Sequence, residues 1–398
     1  MPGIRPVGES KRMSSERLNT DAPKPGDYRT LDAWRGLASL WVVMYHMTLV
    51  LFVSYPHIHQ SPLYTFSLAG SLGVQIFFVI SGYCIANAAN KAVKRGHGFG
   101  PFMAARVRRI YPPVWAALVF AMALSITASF LVATHHLKSS TLGSEDILHQ
   151  KLPYFAENFT LTQCLLHQPS ILAQCWTLCY EMAFYLLIGL FIIPALRLKG
   201  RFPLLPALHA VTGIILLLLI AAPQRISYPV DLWPEFGLGV VAYDVLTHWH
   251  KWQPKAWLGL ISVLTAAFCL THSYNIGVMT EPSRLTFLFC LGFTFLLIAL
   301  YKYEKIFAPT FPVRLLSALG LFSYSLYLTH VFSIGIVNQC TKVFHIPARF
   351  HDLVFAVVIL AAIAFARLFF QFFERPFLGS VRKRIEDANP VAAALKVT

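Results

Sequence analysis

The sequence predicts an all-α polytopic membrane protein with about ten transmembrane helices. Two observations carry this prediction. Of the 398 residues, 56% are hydrophobic and only 13% are charged, and that charged fraction is about half the usual value for a soluble domain. Apolar runs of membrane-spanning length also recur from Leu37 onward. So few charged side chains cannot cover a soluble surface of this size, and the expected solvent is the lipid bilayer.

Ten apolar runs follow one another, and the segments between them hold most of the Lys and Arg residues. A helix needs about 20 apolar residues to cross the hydrocarbon core, and several runs are short or contain Pro. The sixth run carries Asp231, Glu235 and Asp244, so nine or eleven helices are alternatives. The runs lie near residues 37–54, 70–89, 112–134, 176–196, 204–222, 229–247, 257–273, 285–301, 315–338 and 352–374.

The placement of the basic residues predicts the orientation of these helices. With the N-terminus inside, 26 of the 33 Lys and Arg residues lie in inner segments and 6 in outer ones, while Arg367 lies within the tenth run. Because cytoplasmic loops carry such an excess, we expect both termini in the cytoplasm and the chain in a bacterial inner membrane. Most of the net charge of +15 therefore reports topology, and no nucleic acid partner is expected.

The segments outside the runs define the expected domain organisation. Residues 1–28 and 377–398 are polar and are expected to form cytoplasmic tails around a membrane domain at 29–376, with no apolar segment of a signal peptide near the N-terminus. The longest outer connection, 135–175, is either a lid over the outer face or a plain connector. Its Cys164 and Cys175 either form a disulfide or remain free thiols. No paired CxxC motif predicts a metal site.

Three ionisable residues within the apolar runs are candidate catalytic residues: His46, Glu181 and His330. Such groups are usually tolerated in hydrocarbon only where they line a cavity. At about 1.5 Å per residue, they lie roughly 12, 8 and 13 Å below the outer ends of their runs, in one layer. A carboxylate beside an imidazole raises its basicity, as deprotonation of an alcohol requires. The pattern predicts base catalysis on a hydroxyl, with a structural hydrogen-bond cluster as the alternative.

Arginines at the inner ends of the runs form a second candidate site. Arg35 precedes the first run, and Arg106, Arg108 and Arg109 precede the third. Arg106 and Arg109 share a helix face, and arginine makes bidentate contacts with phosphate. We expect these residues to bind a phosphate-bearing donor from the cytoplasm, and contact with lipid headgroups is the alternative.

Three further charged residues within the runs each have two possible roles. Arg367 either contacts the donor phosphate or pairs with a carboxylate such as Asp244. Asp231 and Glu235, four residues apart in the sixth run, either bind sugar hydroxyls or belong to an interfacial helix end.

The alternative function is that of a secondary transporter, which would also place His and Glu side chains in mid-membrane. Transporters typically show internal repeats or paired broken helices, and neither is evident here.

Six ordered motifs resemble those of the acyltransferase-3 family of bacterial and nematode membrane proteins. They lie between residues 29 and 376 and so cover nearly the whole chain. They are Arg29-Thr-Leu-Asp32-Ala-Trp-Arg35-Gly36 with His46, Phe77-Phe78-Val-Ile-Ser81-Gly82, Arg106-Val-Arg108-Arg109-Ile-Tyr111-Pro112, Trp176-Thr-Leu-Cys-Tyr-Glu181, Ser323-Tyr324-Ser-Leu-Tyr327-Leu-Thr-His330 and Phe373-Glu374-Arg375-Pro376.

The resemblance implies ten core helices and transfer of an acyl group, usually acetyl from acetyl-CoA, to a hydroxyl of an extracytoplasmic acceptor such as a cell-surface glycan. It implies that His46 is the key catalytic histidine and Glu181 the essential carboxylate, and that Arg35, Arg106 and Arg109 bind the donor. Some relatives carry a C-terminal SGNH hydrolase domain. Because only about 22 residues follow Pro376, the expected form is the stand-alone one.

Overall fold

The computed structural model describes residue 28 and residues 30–54, 62–134, 147–199, 201–271 and 283–378. These residues form helices and no strand, which confirms the all-α prediction. The helices are α1 (Leu31–Ser54), α2 (Pro62–Leu68), α3 (Gly73–Lys94), α4 (Phe99–Ala133), α5 (Leu152–Thr160), α6 (Trp176–Arg197), α7 (Leu204–Ala221), α8 (Trp233–Thr247), α9 (Trp252–Thr271), α10 (Arg284–Tyr301), α11 (Glu304–Phe307), α12 (Phe311–Gly320), α13 (Ser323–Val343) and α14 (His351–Phe369).

Each of the ten predicted apolar runs coincides with helical structure. Within the described ranges, seven helical segments are long and apolar enough to span a membrane, or eight if α12 and α13, which meet at a bend of 76°, count as one span. Helices α1 and α8 are not among them. The count of ten membrane-spanning helices therefore remains a prediction.

Helix α8 occupies the centre of the protein. It has 15 residues, which corresponds to about 22 Å and is less than the roughly 30 Å hydrocarbon core. All its residues from Trp233 to Leu246 are buried. A methyl group at Gly82 of α3 would overlap the carbonyl oxygen of Phe236, and one at Gly239 would overlap that of Val79. The glycines therefore let α3 and α8 cross at close range.

The connection between α4 and α6 folds inward, against the helices. The Tyr111 hydroxyl donates to the carbonyl of Thr160 at 2.9 Å, and the Trp115 indole donates to that of Phe159 at 2.9 Å. The side-chain amide of Gln174 donates to the carbonyl of Leu328 in α13 at 2.9 Å. The described part of the connection, from residue 147 onward, is thus an ordered wall between α4 and α13.

Asn158 organises this connection from within. Its side chain is buried; the amide donates to the carbonyls of Tyr154 at 2.9 Å and Pro169 at 3.2 Å, and its oxygen accepts from the Ile171 N–H at 2.8 Å. The apparent glycosylation motif Asn158-Phe159-Thr160 is therefore part of the packing. Residues 135–146, the rest of the predicted connection, lie outside the described residues.

Candidate active site

A polar cavity of about 170 Å³ lies between helices α1, α3, α4, α6 and α13. A space of this size has room for on the order of ten water molecules. We call it the arginine cavity, because three guanidinium groups line it. Its polar lining residues are Arg35, Ser81, Cys84, Arg106, Arg109, Thr177, Glu181, Tyr185, Ser323, Tyr324 and Tyr327.

The three arginines reach the cavity from two helices. Arg106 and Arg109 come from successive turns of α4, and the Arg106 guanidinium carbon lies 5.1 Å from the ring centre of Phe102 and 5.9 Å from that of Tyr185. Arg35 of α1 donates to Asp32 at 2.8 Å and to the Cys84 sulfur at 3.1 Å. These contacts orient the guanidinium groups while their remaining N–H groups stay available for an anion.

Among the described residues, Glu181 is the one carboxylate that lines the cavity. The Ser81 hydroxyl donates to its Oε1 at 2.6 Å, and the Tyr185 hydroxyl, one helical turn along α6, donates to the same oxygen. With three arginines against one glutamate, the charged residues that line the cavity carry a positive excess, which suits a ligand with several negative charges.

The two candidate histidines meet outside this cavity. His46 of α1 and His330 of α13 have ring centres 4.9 Å apart, and His46 Nδ1 lies 3.3 Å from His330 Nε2. We call them the histidine pair. His330 is fully buried and His46 partly so. The pair adjoins the cavity through Tyr327, whose ring centre is 6.1 Å from that of His330.

The predicted layer of His46, Glu181 and His330 is divided in the structure. The histidines pair with each other, whereas the described partners of Glu181 are Ser81 and Tyr185. The depth estimate for Glu181 assumed that α6 begins at the outer surface. The start of α6 instead lies against the second turn of α13, where Thr177 bonds to Tyr327 at 2.8 Å, about one turn before His330.

The other predicted charges have these surroundings. Arg108 is exposed and does not line the cavity. The predicted pairing of Arg367 with Asp244 is wrong. Asp244 bonds to His209 and His248. Arg367 is exposed and packs on Phe322 and Phe370.

Three further carboxylates are buried. Asp231 and Glu235 are both buried, and Asp231 accepts from the Tyr180 hydroxyl at 3.0 Å. Glu374 is buried and accepts from the backbone N–H and hydroxyl of Ser325.

Some cavity residues were not singled out from the sequence. Tyr185 lies four residues after Glu181, and that spacing on a helix is a signal that could have found it. Cys84 has no sequence motif that marks it, yet it lines the cavity and contacts Arg35. Cys164 and Cys175 are free thiols, as are the other cysteines. Among the described residues, no group of three or more His, Cys, Asp or Glu side chains is arranged to hold a metal ion.

Comparison with known proteins finds one family across this region. The profile of a family described as an acyltransferase domain matches residues 28–369. A peptidoglycan O-acetyltransferase of Listeria monocytogenes is 25% identical over 375 residues, which are 87% of this chain and 55% of that protein. An O-acetyl transferase of Shigella phage Sf6 is 27% identical over 223 residues, which are 54% of this chain and 62% of that protein.

A third relative matches a smaller part of both chains. A putative peptidoglycan O-acetyltransferase of Bacillus subtilis is 25% identical over 216 residues, which are 50% of this chain and 30% of that protein. The chain therefore spans between 30% and 62% of the length of these curated relatives. No solved structure is significantly similar to it.

Proposed function

We propose a function from the premise that this chain belongs to the acyltransferase-3 family, whose profile covers most of it. It moves an acyl group, acetyl by our expectation, from cytoplasmic acyl-CoA to a hydroxyl of an extracytoplasmic cell-surface carbohydrate. The names of the three relatives support acetyl as the group transferred, and two of those names support a glycan acceptor. The basic residues of the inner segments support an inner-membrane protein with both termini in the cytoplasm.

The observation that carries the proposal is the arginine cavity. Arg35, Arg106 and Arg109 face one space from two helices, and guanidinium groups make the bidentate contacts that phosphates favour. Coenzyme A carries several phosphates at one end and the thioester at the other. We assign the phosphate end to these arginines and the arm to the space beside Tyr327, which points the thioester toward the histidine pair.

The chemistry of the transfer is assigned to His46. Its ring removes the proton of the acceptor hydroxyl while the hydroxyl oxygen bonds to the thioester carbonyl carbon. The carbon–sulfur bond then breaks, and the coenzyme A sulfur takes the proton back from the His46 imidazolium. In the alternative order His46 is acylated first and passes the acyl group to the acceptor. Glu181 is assigned to the donor side, where it holds Ser81 and Tyr185 beside the arginines.

The test compares acylation of cell-surface glycans by cells that carry the wild-type protein and cells that carry His46→Ala, measured by mass spectrometry at equal membrane levels. We expect acylation to disappear, because a missing general base costs about 10²- to 10⁴-fold. Leu49→Ala is the matched control: Leu49 is an exposed residue less than one helical turn from His46, and its truncation should leave acylation intact. Undiminished acylation in His46→Ala cells would overturn the assignment.

A further inference from the structure

The hydrogen bonds around the histidine pair determine which ring nitrogens carry protons. His330 Nδ1 lies 2.8 Å from the carbonyl oxygen of Tyr327 and 3.2 Å from that of Leu326. Carbonyl oxygens can only accept, so this nitrogen is an N–H donor. His46 Nδ1 lies 3.0 Å from the carbonyl oxygen of Val42, and by the same reasoning it is an N–H donor.

These two assignments fix the contact between the rings. His46 Nδ1–H faces His330 Nε2 at 3.3 Å, so Nε2 must offer a lone pair. A proton on Nε2 would set two donors against each other. His330 is therefore neutral with its proton on Nδ1, and the neutral form of His46, which is the form that can act as a base, also carries its proton on Nδ1. The remaining nitrogen, His46 Nε2, carries a lone pair, and none of the described protein groups hydrogen-bonds to it.

Apolar layers hold the pair in place from both sides. One helical turn towards the N-termini, Val43 of α1 and Leu326 of α13 pack together. On the other side, Met47, the residue after His46, and Ile334, one turn after His330, belong to an apolar cluster with residues of α14. His330 itself is fully buried. The two rings are therefore confined between two dry layers, which favours one fixed arrangement over alternatives that exchange with water.

We propose that His330 is the positioning residue for His46. Its Nε2 and the Val42 carbonyl oxygen share the Nδ1–H of His46, and the two contacts together hold the His46 ring in the tautomer whose Nε2 is the base. When Nε2 takes the acceptor's proton, the resulting imidazolium keeps its Nδ1–H on His330, which in turn donates to the carbonyls of Tyr327 and Leu326. The inference rests on the proposed function, and among the three candidate catalytic residues it makes His330 the group that orients His46 and leaves Glu181 on the donor side.

The experiment compares two substitutions of His330 in proteoliposomes supplied with radiolabelled acetyl-CoA and with glycan extracted from the cell envelope of the source organism. In His330→Gln, the amide oxygen can occupy the position of Nε2 and still accept. His330→Leu is of similar size and cannot accept. We expect kcat to fall roughly 10- to 100-fold in His330→Leu and less than about fivefold in His330→Gln. The KM for acetyl-CoA should stay within about twofold in both.

A spectroscopic measurement reports on the pair without depending on activity. In protein labelled with ¹⁵N-histidine, the signals of His46 are identified by their loss in His46→Ala. We expect a protonated Nδ1 in the wild type and in His330→Gln. In His330→Leu, where only the Val42 carbonyl still accepts from Nδ1, we expect a larger share of the tautomer with the proton on Nε2. Unchanged ligand labelling in both His330 variants, measured with a photoreactive acetyl-CoA analogue, shows that each variant is folded.

The possible results test the positioning role of His330 and the proposed function separately. Equal kcat in His330→Leu and the wild type, equal losses in the Leu and Gln variants, or a His46 tautomer unchanged by His330→Leu would overturn the positioning role and leave the proposed function standing. A wild-type protein that transfers no acetyl group, or a His46→Ala protein as active as the wild type, would overturn the proposed function and the positioning role with it.

Discussion

The arginine cavity and the histidine pair adjoin along α13 but are built differently. The cavity draws its polar side chains from five helices, and Arg109 is exposed. The pair comes from two helices and is enclosed by apolar layers, with His330 fully buried. A large, charged donor has to enter and leave, which suits a wet site with several redundant contacts. A proton transfer needs one fixed geometry, which suits a dry site with a single chain of hydrogen bonds.

Because the two regions differ in this way, we expect substitutions in them to change different kinetic constants. Substitutions in the cavity should change the KM for the donor, and substitutions of the pair should change kcat. Tyr327 stands between them, since it lines the cavity and its ring lies beside His330. A substitution there should affect both quantities, each to a small degree.

The largest effect is expected for the double substitution Arg106→Ala with Arg109→Ala. Each charged hydrogen bond contributes about 1.5–3 kcal/mol, so the loss of two should raise the KM for acetyl-CoA by at least about 100-fold. Photolabelling of inside-out vesicles by a coenzyme A analogue should be abolished. Arg108→Ala is the matched control, because Arg108 is exposed on the same helix outside the cavity. Labelling that survives the double substitution would move the donor site elsewhere.

The next largest effect is expected on the free energy of unfolding alone, at the hydrogen bonds around Asp244, away from both the cavity and the histidine pair. Asp244 accepts from His209 at 2.8 Å and from His248 at 2.7 Å. In Asp244→Asn the amide nitrogen would face one of these N–H donors, so we expect the free energy of unfolding to fall by about 2 kcal/mol. The thermal midpoint in detergent should drop, with kcat and KM unchanged. Exposed His250 provides the control His250→Ala, and a kinetic defect in Asp244→Asn would show that the region couples to the site.

A smaller effect is expected at the thiol of Cys84. Cys84 lines the cavity beside Arg35, so a bound donor should block its alkylation by N-ethylmaleimide. At a donor concentration tenfold above Kd, the rate should fall about tenfold. The exposed Cys340, followed by peptide mapping in the same sample, should react at an unchanged rate. Equal rates at Cys84 with and without acetyl-CoA would contradict binding of the donor in the cavity.

The smallest effect is expected for Tyr327→Phe. The Tyr327 hydroxyl bonds to Thr177 at 2.8 Å and to the Gln174 carbonyl at 3.0 Å, and a hydrogen bond of this kind contributes about 0.5–1.5 kcal/mol. We expect kcat and the KM for the donor both to worsen by about two- to tenfold. Tyr324→Phe, which removes a bond to the Ile110 carbonyl in α4, should change KM only. A change confined to kcat in Tyr327→Phe would assign Tyr327 to the histidine pair.

The fold was accessible from the sequence because hydrophobic runs and basic loops report helices directly. Every apolar run proved to be helical, and the shared depth of His46 and His330 anticipated their contact. The surroundings of Glu181 were not accessible, since the contact between the start of α6 and the second turn of α13 is a tertiary contact that a count of residues along one helix does not contain. The inward path of residues 147–175 depends on contacts such as Gln174 with Leu328, which no local pattern announces.

The inward-folded connection also constrains how the chain is made. Gln174 and its partner Leu328 are 154 residues apart in the sequence. At a synthesis rate of about 5–20 residues per second, roughly 8 to 30 seconds separate the emergence of the two residues from the ribosome. The start of α6 must therefore wait in the membrane without its final partner until α13 arrives. The contact between Gln174 and Leu328 can therefore form only after most of the helices have been synthesised.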